Sequence, residues 1–215
     1  TLETLISRSE VITVGIDGGG LDDLLGLAVI GREKETGKWL LWTRAYAHPI
    51  AIERRKSEES RYQGFKDDGD LIIISQLPDD VSAVAKTVKE IYDTGLLAEI
   101  GLDPEKTHKV MFQALIDESV PENMIVGISQ GWKLVGAISI CERKLAEGRL
   151  KHGGQPLMAW CVSNAKIEPR GNAVLITKQT SGTGKIDPLM ATFNAASLMA
   201  LNPESNSISQ GFVLL

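Results

Sequence analysis

Three β-type apolar runs follow one another in the first 47 residues with only short turns between them, and no other feature restricts the fold as much. Val11 to Asp17 reads VITVGID, a strand pattern that ends in a carboxylate. Gly18, Gly19 and Gly20 turn the chain into Leu25 to Gly31, and a Gly/Glu/Lys turn leads on to Lys38–Ala47, KWLLWTRAYA. Runs of this length joined by turns pair as antiparallel neighbours, so the three form a meander. Beyond it the pattern changes. A polar, charge-dense excursion, His48 to Gly69, precedes a short apolar run at Leu71–Ser75. Pro78 to Thr94 then places Val81, Val84, Ala85, Val88 and Ile91 at helical spacing, with its acids at the start, where the helix dipole favours them. Strand and helix patterns alternate from there: Leu96 to Leu102, Glu105 to Ser119, Met124–Ile128 and Leu134 to Gly148. Pro156–Asn164 and Ile186 to Leu201 read as further helices, with Ala165–Pro169 and Ala173–Lys178 as a hairpin between them. The order predicts an α/β fold: a mixed sheet, antiparallel meander plus parallel strands, flanked by helices and completed by a C-terminal hairpin and helix.

The 215 residues suit one domain, with residues 1–10 as a lead-in and 203–215 as a tail. An apolar content of 43% supplies a real core, whereas 5% aromatics argue against a module built on base-stacking platforms. No apolar run approaches the roughly 20 residues that span a bilayer, so no membrane partner is expected. The first residues carry no signal-peptide pattern. Cys141 and Cys161 stand far apart and read as reduced core thiols of a cytosolic protein. The net charge of −5 hides an asymmetry. Residues 143–185 hold eight Lys/Arg, among them Arg149, Lys151, Lys166, Arg170, Lys178 and Lys185, against Glu147 and Glu168, a net of +6. A basic block beside an acidic remainder suits a phosphate-backbone binder with a carboxylate metal site; an ordinarily charged solvated surface is the alternative.

Three acids stand where the chain leaves a predicted core element. Asp17 and Asp103 close strands, and Asp187 opens the last helix. Side chains at strand ends and helix starts converge on a common rim in open sheets. Three carboxylates gathered there repel one another unless cations bind between them, and hard oxygen ligands suit Mg²⁺ or Mn²⁺. Each acid also has a plainer reading. Asp17 can serve as a turn former before three glycines, and Asp103 and Asp187 precede proline, a common setting for turn or cap residues. Asp22 or Asp23 extends the cluster, or both are solvated turn residues. His152 stands in the basic block with no role assigned. SGTGKID is not a phosphate-binding P-loop: Gln179 and Ile186 stand where that pattern needs Gly and Ser/Thr. IDGGG is like the first phosphate loop of actin-like kinases and ATPases, but Leu21-Asp22-Asp23 follow in place of Thr or Ser.

Taken together, GIDGGGLDD, EIGLDP, VGISQGWKL at 126–134, LAEGRLKHGGQPLMAWCVSNAKIEPRGN and KQTSGTGKIDPLMATFNAASLM resemble the C-terminal nuclease domain of the large terminase subunit of tailed bacteriophages. The resemblance runs through most of the chain and is most specific in its C-terminal third. It implies a ribonuclease-H-like fold and a metal-dependent endonuclease that cuts concatemeric viral double-stranded DNA during packaging, in the cytoplasm of the infected host. It implies that Asp17, Asp103 and Asp187 hold two ions, Mg²⁺ or Mn²⁺, with Asp22 or Asp23 as a further ligand. Lys185 would meet a phosphate or temper carboxylate repulsion, and Arg149, Lys151, Lys166, Arg170 and Lys178 would track the DNA backbone. Its implied partners are an N-terminal packaging ATPase domain of the same polypeptide, the portal or procapsid, and the small terminase subunit. An actin-like nucleotide-binding fragment and a non-catalytic packaging scaffold are the competing readings.

Overall fold

The computed structural model describes residues 1–104, 108–171, 173–178 and 184–205, apart from the side chains of His108, Arg170 and Ala173. The meander is present as β1 (Ser9–Gly18), β2 (Leu25–Glu33) and β3 (Trp39–Ala47), each antiparallel to the next. A short helix, α1 (Leu2–Arg8), precedes it. Thr1 caps this helix, and its Leu2 and Leu5 are buried. The polar excursion folds as two short helices, α2 (Pro49–Glu53) and α3 (Glu59–Asp67), and returns to the sheet as β4 (Leu71–Ile73).

The alternating part follows as α4 (Asp79–Asp93), β5 (Leu97–Leu102), α5 (His108–Asp117), β6 (Ile125–Gly127) and α6 (Val135–Ala146). Glu105, Lys106 and Thr107, where the sequence pattern starts the α5 helix, lie outside the described residues. A three-residue strand that the sequence did not announce, β7 (Leu150–His152), pairs parallel with the start of β3. After α7 (Pro156–Asn164), strands β8 (Ala165–Arg170) and β9 (Ala173–Lys178) form the expected hairpin, and α8 (Asp187–Met199) is the last helix among the described residues. Among the described residues the main sheet runs β4-β3-β2-β1-β5-β6, with β7 also on β3, and β5 and β6 are parallel to β1.

The two faces of this sheet are packed differently. Alternation along β1 sends Ile12, Val14 and Ile16 to one face, where they meet Leu27, Val29, Ile100 and Leu102, then Val84, Val88 and Ile91 of α4 and Met111 and Leu115 of α5. Each such side chain contributes about 1.5–3 kcal/mol through burial. The other face receives α8. Gly15 and Gly101, paired across β1 and β5, line a trough with Gly26 of β2. A Cβ on Gly15 would stand 2.0 Å from the carbonyl oxygen of Ala191, and one on Gly26 would stand 2.6 Å from the Asp187 carbonyl carbon. Only glycine permits this approach. The helix is buried along nearly its whole length, between the sheet, α6 and α7. Polar contacts key it in place: Thr13 Oγ1 donates to the Ala195 carbonyl at 2.9 Å, and Asn194 Nδ2 donates to the Ile16 carbonyl at 3.0 Å.

Candidate metal centre

The glycine trough decides where the carboxylates stand. Asp17 follows Ile16 and Asp103 follows Leu102, and Ile16 and Leu102 are register partners on adjacent parallel strands. By alternation Asp17 turns to the α8 face, and Asp103 is the first residue past the end of β5, at the same end of the sheet. Asp187 is the first residue of α8, with Ile186 at the N-cap position and no side-chain cap, so the helix start brings its carboxylate to that rim directly. Its Oδ1 is 2.9 Å from where a Cβ on Gly18 would stand, a second point at which glycine makes room. All three acids are buried, Asp187 to 1% exposure.

Asp22 and Asp23 have separate fates. Asp22 turns away to Arg55, whose Nη1 and Nη2 donate to its two carboxylate oxygens at 2.7 and 3.3 Å. Asp23 turns inward. Lys185 Nζ donates to Asp23 Oδ1 at 2.7 Å and to the Asp22 carbonyl at 2.5 Å, while Lys178 Nζ lies 3.3 Å from both Asp23 oxygens and 4.0 Å from Asp187 Oδ1. A second residue of α8 braces this corner: Asn194, whose Oδ1 accepts from Gln130 Nε2 at 2.9 Å. A lone Asn inside an apolar helix is a sequence signal for such a buried polar contact.

Charge is compressed here. Burial, and then the carboxylates of Asp23 and Asp17, push the Asp187 carboxyl up to about 8, against the pull of Lys178 and Lys185. Burial also opposes ionisation of Asp23, but the Lys185 hydrogen bond and the Lys178 and Lys185 charges hold it below its usual value. The Lys178 ammonium, although its burial works the other way, is raised by Asp187, Asp23 and Asp17. Among the described residues no three His, Cys, Asp or Glu side chains are gathered tightly enough to hold a metal ion in this arrangement; the two lysines supply the counter-charge. The donor set nevertheless fits a hard divalent cation. The oxygens are carboxylate, they crowd one another, and the buried Asp187 Oδ2 has no hydrogen-bond partner among the described residues.

The remaining expected residues scatter. Lys166 is exposed on β8 and pairs with Glu168 at 3.4 Å. Arg170 closes β8, and its side chain lies outside the described residues. Arg149 and Lys151 are exposed at the other end of the sheet. Lys151 pairs with Leu40, five residues back along β3 from the Ala45–Gly26 pair beside Asp17, or about 17 Å along a strand. His152 is exposed there too and accepts a local hydrogen bond from the Gly154 amide through Nδ1. Cys141 and Cys161 are free and buried.

Residues 6–202 match the family model for the terminase large subunit, endonuclease domain. The large terminase subunit of Enterobacteria phage HK97 is 28% identical over 82% of this chain and 35% of its own length, so the chain spans about a third of that relative. The crystal structure of the HK97 large terminase superposes with a TM-score of 0.74 at 20% identity, over 92% of this chain and 42% of that one. The large terminase nuclease of thermophilic phage G20c, crystallised with magnesium, gives 0.55 at 12% identity over 87% and 80%. The SPP1 large terminase nuclease domain, with manganese, gives 0.50 at 18% identity over 90% and 89%. These neighbours share a ribonuclease-H-like fold, which the sheet order and flanking helices of this chain reproduce. No helix among the described residues is long and apolar enough to cross a membrane. With nearly the whole described fold inside the matched range, the chain belongs to the family of terminase large subunit endonuclease domains.

Proposed function

We propose that residues 1–215 form one divalent-metal-dependent endodeoxyribonuclease domain that cuts concatemeric viral double-stranded DNA during genome packaging. What supports this reading is that buried Asp187 stands close enough to Asp23 and Asp17 for their carboxylates to oppose its ionisation, at the end of the sheet where Asp103 leaves β5, in a fold whose family relatives were crystallised with magnesium and manganese. Asp17, Asp103 and Asp187 would hold two ions, Mg²⁺ or Mn²⁺, with Asp23 rather than Asp22 as the fourth acid. When bound, such ions lower the pKa of a water nucleophile and stabilise the leaving 3′-oxygen. The chain's own contribution is placement. The glycine trough sets the depth of α8 and with it the Asp187 carboxylate. Lys185 and Lys178 stabilise Asp23 and Asp187 as anions, and each can pass its charge to a phosphate oxygen as the carboxylates turn to cations. Exposed Lys166, and Arg170 at the end of the same strand, both on the hairpin that carries Lys178, would follow the DNA backbone without reading sequence. Arg149 and Lys151, at the far end of the sheet, would meet the duplex only where it runs on past the rim. In the infected host cytoplasm the wider assembly would add an N-terminal packaging ATPase domain, the small terminase subunit and the portal or procapsid.

Supercoiled plasmid incubated with the protein and Mn²⁺ or Mg²⁺ should be nicked and linearised, and chelator should abolish the reaction. Plasmid left intact under every metal condition would remove the nuclease reading; a nucleotide-binding fragment or a packaging scaffold gives that result.

A further inference from the structure

The nuclease reading makes no use of the polar stretch between β3 and β4, yet that stretch reaches the carboxylate corner. Arg55, just beyond α2, is buried to 10% side-chain exposure and holds both oxygens of Asp22. Its Nη1 also donates to the Ala51 carbonyl at 3.1 Å, which ties the guanidinium to α2. The mount is rigid. Ala51, Tyr62 and Phe65 are buried with Leu157 and Cys161 of α7, and the rings of Tyr62 and Phe65 lie 5.7 and 5.5 Å from that of Trp160.

The segment it grips has no such rigidity of its own. Asp22 follows three successive glycines with φ of 88°, 108° and 109°, a backbone that samples both hands at little cost and does not itself choose which neighbouring acid faces inward. With Asp22 drawn out to Arg55, Asp23 is left facing Lys185 and Asp187, and the Asp22 carbonyl accepts from the same lysine. The Arg55 Nε, the Tyr62 hydroxyl and Asp187 Oδ2 are buried with no hydrogen-bond partner among the described residues, so the polar interior continues from Arg55 toward the carboxylates rather than closing off behind Asp22.

We propose that Arg55 is a positioning residue for the carboxylate site: by clamping Asp22 it selects the turn conformation that presents Asp23 to Asp17 and Asp187, and so sets the affinity of the site for a divalent cation. This rests on the nuclease reading. A planar guanidinium suits the task because it engages both carboxylate oxygens at once, whereas a lysine acts as a point charge.

Mn²⁺ binding measured by calorimetry without DNA tests it, on wild type, Arg55→Ala, Arg55→Lys, Asp22→Asn and the Arg55→Ala/Asp22→Asn pair, with thermal unfolding and nicking alongside. Arg55→Ala and Asp22→Asn should each weaken Mn²⁺ binding about tenfold or more, as loss of an outer-shell partner does. The pair should be no weaker than either single variant, and Arg55→Lys should recover part of the loss. Excess Mn²⁺ should restore most of the nicking rate. Asp22 is half exposed, so Asp22→Asn reports even if Arg55→Ala fails to fold. Wild-type binding and nicking with unchanged Mn²⁺ affinity in Asp22→Asn and any folded Arg55 variant, or losses that multiply in the pair, would overturn the role of Arg55 alone. A wild-type protein that neither binds Mn²⁺ nor nicks removes the nuclease reading and this role together.

Discussion

The two faces of the sheet are held by different physics. On the α4 and α5 face, Ile12, Val14 and Ile16 meet Val84, Val88, Ile91, Met111 and Leu115, and what matters is filled volume. On the α8 face, Gly15, Gly26 and Gly101 remove side chains so that one helix can lie against strand backbone, and what matters is approach distance. The first arrangement tolerates repacking, because a neighbour can shift by a methyl group at modest cost. The second does not, since the nearest atoms are backbone. That is why the carboxylates stand on the α8 face: Asp187 is placed by the helix axis itself, with no flexible loop between the packing and the site.

The largest effect expected from breaking this arrangement is chemical. Asp187→Asn keeps size and shape at the first position of α8 but removes the buried carboxylate that the nuclease reading assigns as a metal ligand. Nicking should fall about a thousandfold or more, beyond the ten- to hundredfold typical of partners one shell further out, while the circular dichroism spectrum stays native and DNA retention on a gel persists. A variant that nicks near the wild-type rate would show Asp187 to be a structural helix-start residue and would remove it from the ligand set.

Next in size is a matched pair across the sheet. Gly15→Ala puts a methyl group against the Ala191 carbonyl and the Ala195 amide nitrogen, at 2.0 and 2.5 Å. The helix must back away, at a cost of about 1–3 kcal/mol or more, and a misplacement near 1 Å costs about a hundredfold in rate. Ile91→Ala on the opposite face should cost about 2–5 kcal/mol in stability. Its nicking rate per folded molecule should stay within about twofold of wild type, because Asp17, Asp103 and Asp187 are not mounted on α4. Denaturant melts paired with nicking below both transitions separate the two; equal losses of rate would mean that the faces are not mechanically distinct.

Much of this was legible in the sequence. The meander and the alternating units show because their apolar periods, two and near 3.6, extend over enough residues to be counted. The positions of Asp17, Asp103 and Asp187, at two strand ends and a helix start, were legible because the elements they bound were legible. Three residues of β7 are too few to display a period, and α2 and α3 are buried mainly through Ala51, Tyr62 and Phe65 inside a run of charges. The separate orientations of Asp22 and Asp23 were unreadable because the partner that holds Asp22, Arg55, is 33 residues away. Isolated glycines inside strands, Gly15 and Gly101, do signal close backbone approach, but their partner, α8, is distant in sequence.

The smallest effect expected separates the faces by pH. In chelator, Asp187 is held up to about 8, chiefly by its burial and then by Asp23 and Asp17, whereas in the unfolded chain it ionises near the ordinary value of 3.8. Between those values the folded protein keeps a proton that the unfolded chain has released. Stability therefore falls as pH rises through this window and levels off above it. Asp187→Asn has no proton to keep. Its melting temperature relative to wild type should be lowest near pH 4 and climb steadily to pH 8, which makes the variant the more stable protein in alkaline chelator even though it is the inactive one. Ile91→Ala removes only apolar surface, so its melting curve should run parallel to wild type across the same range. Adding Mn²⁺ should flatten the wild-type slope, because a bound cation favours the charged carboxylate. Melting temperatures from pH 4 to 9, with and without chelator, measure all of this, and parallel wild-type and Asp187→Asn curves would show that the Asp187 carboxyl titrates normally and that the corner is not under the charge strain assigned to it.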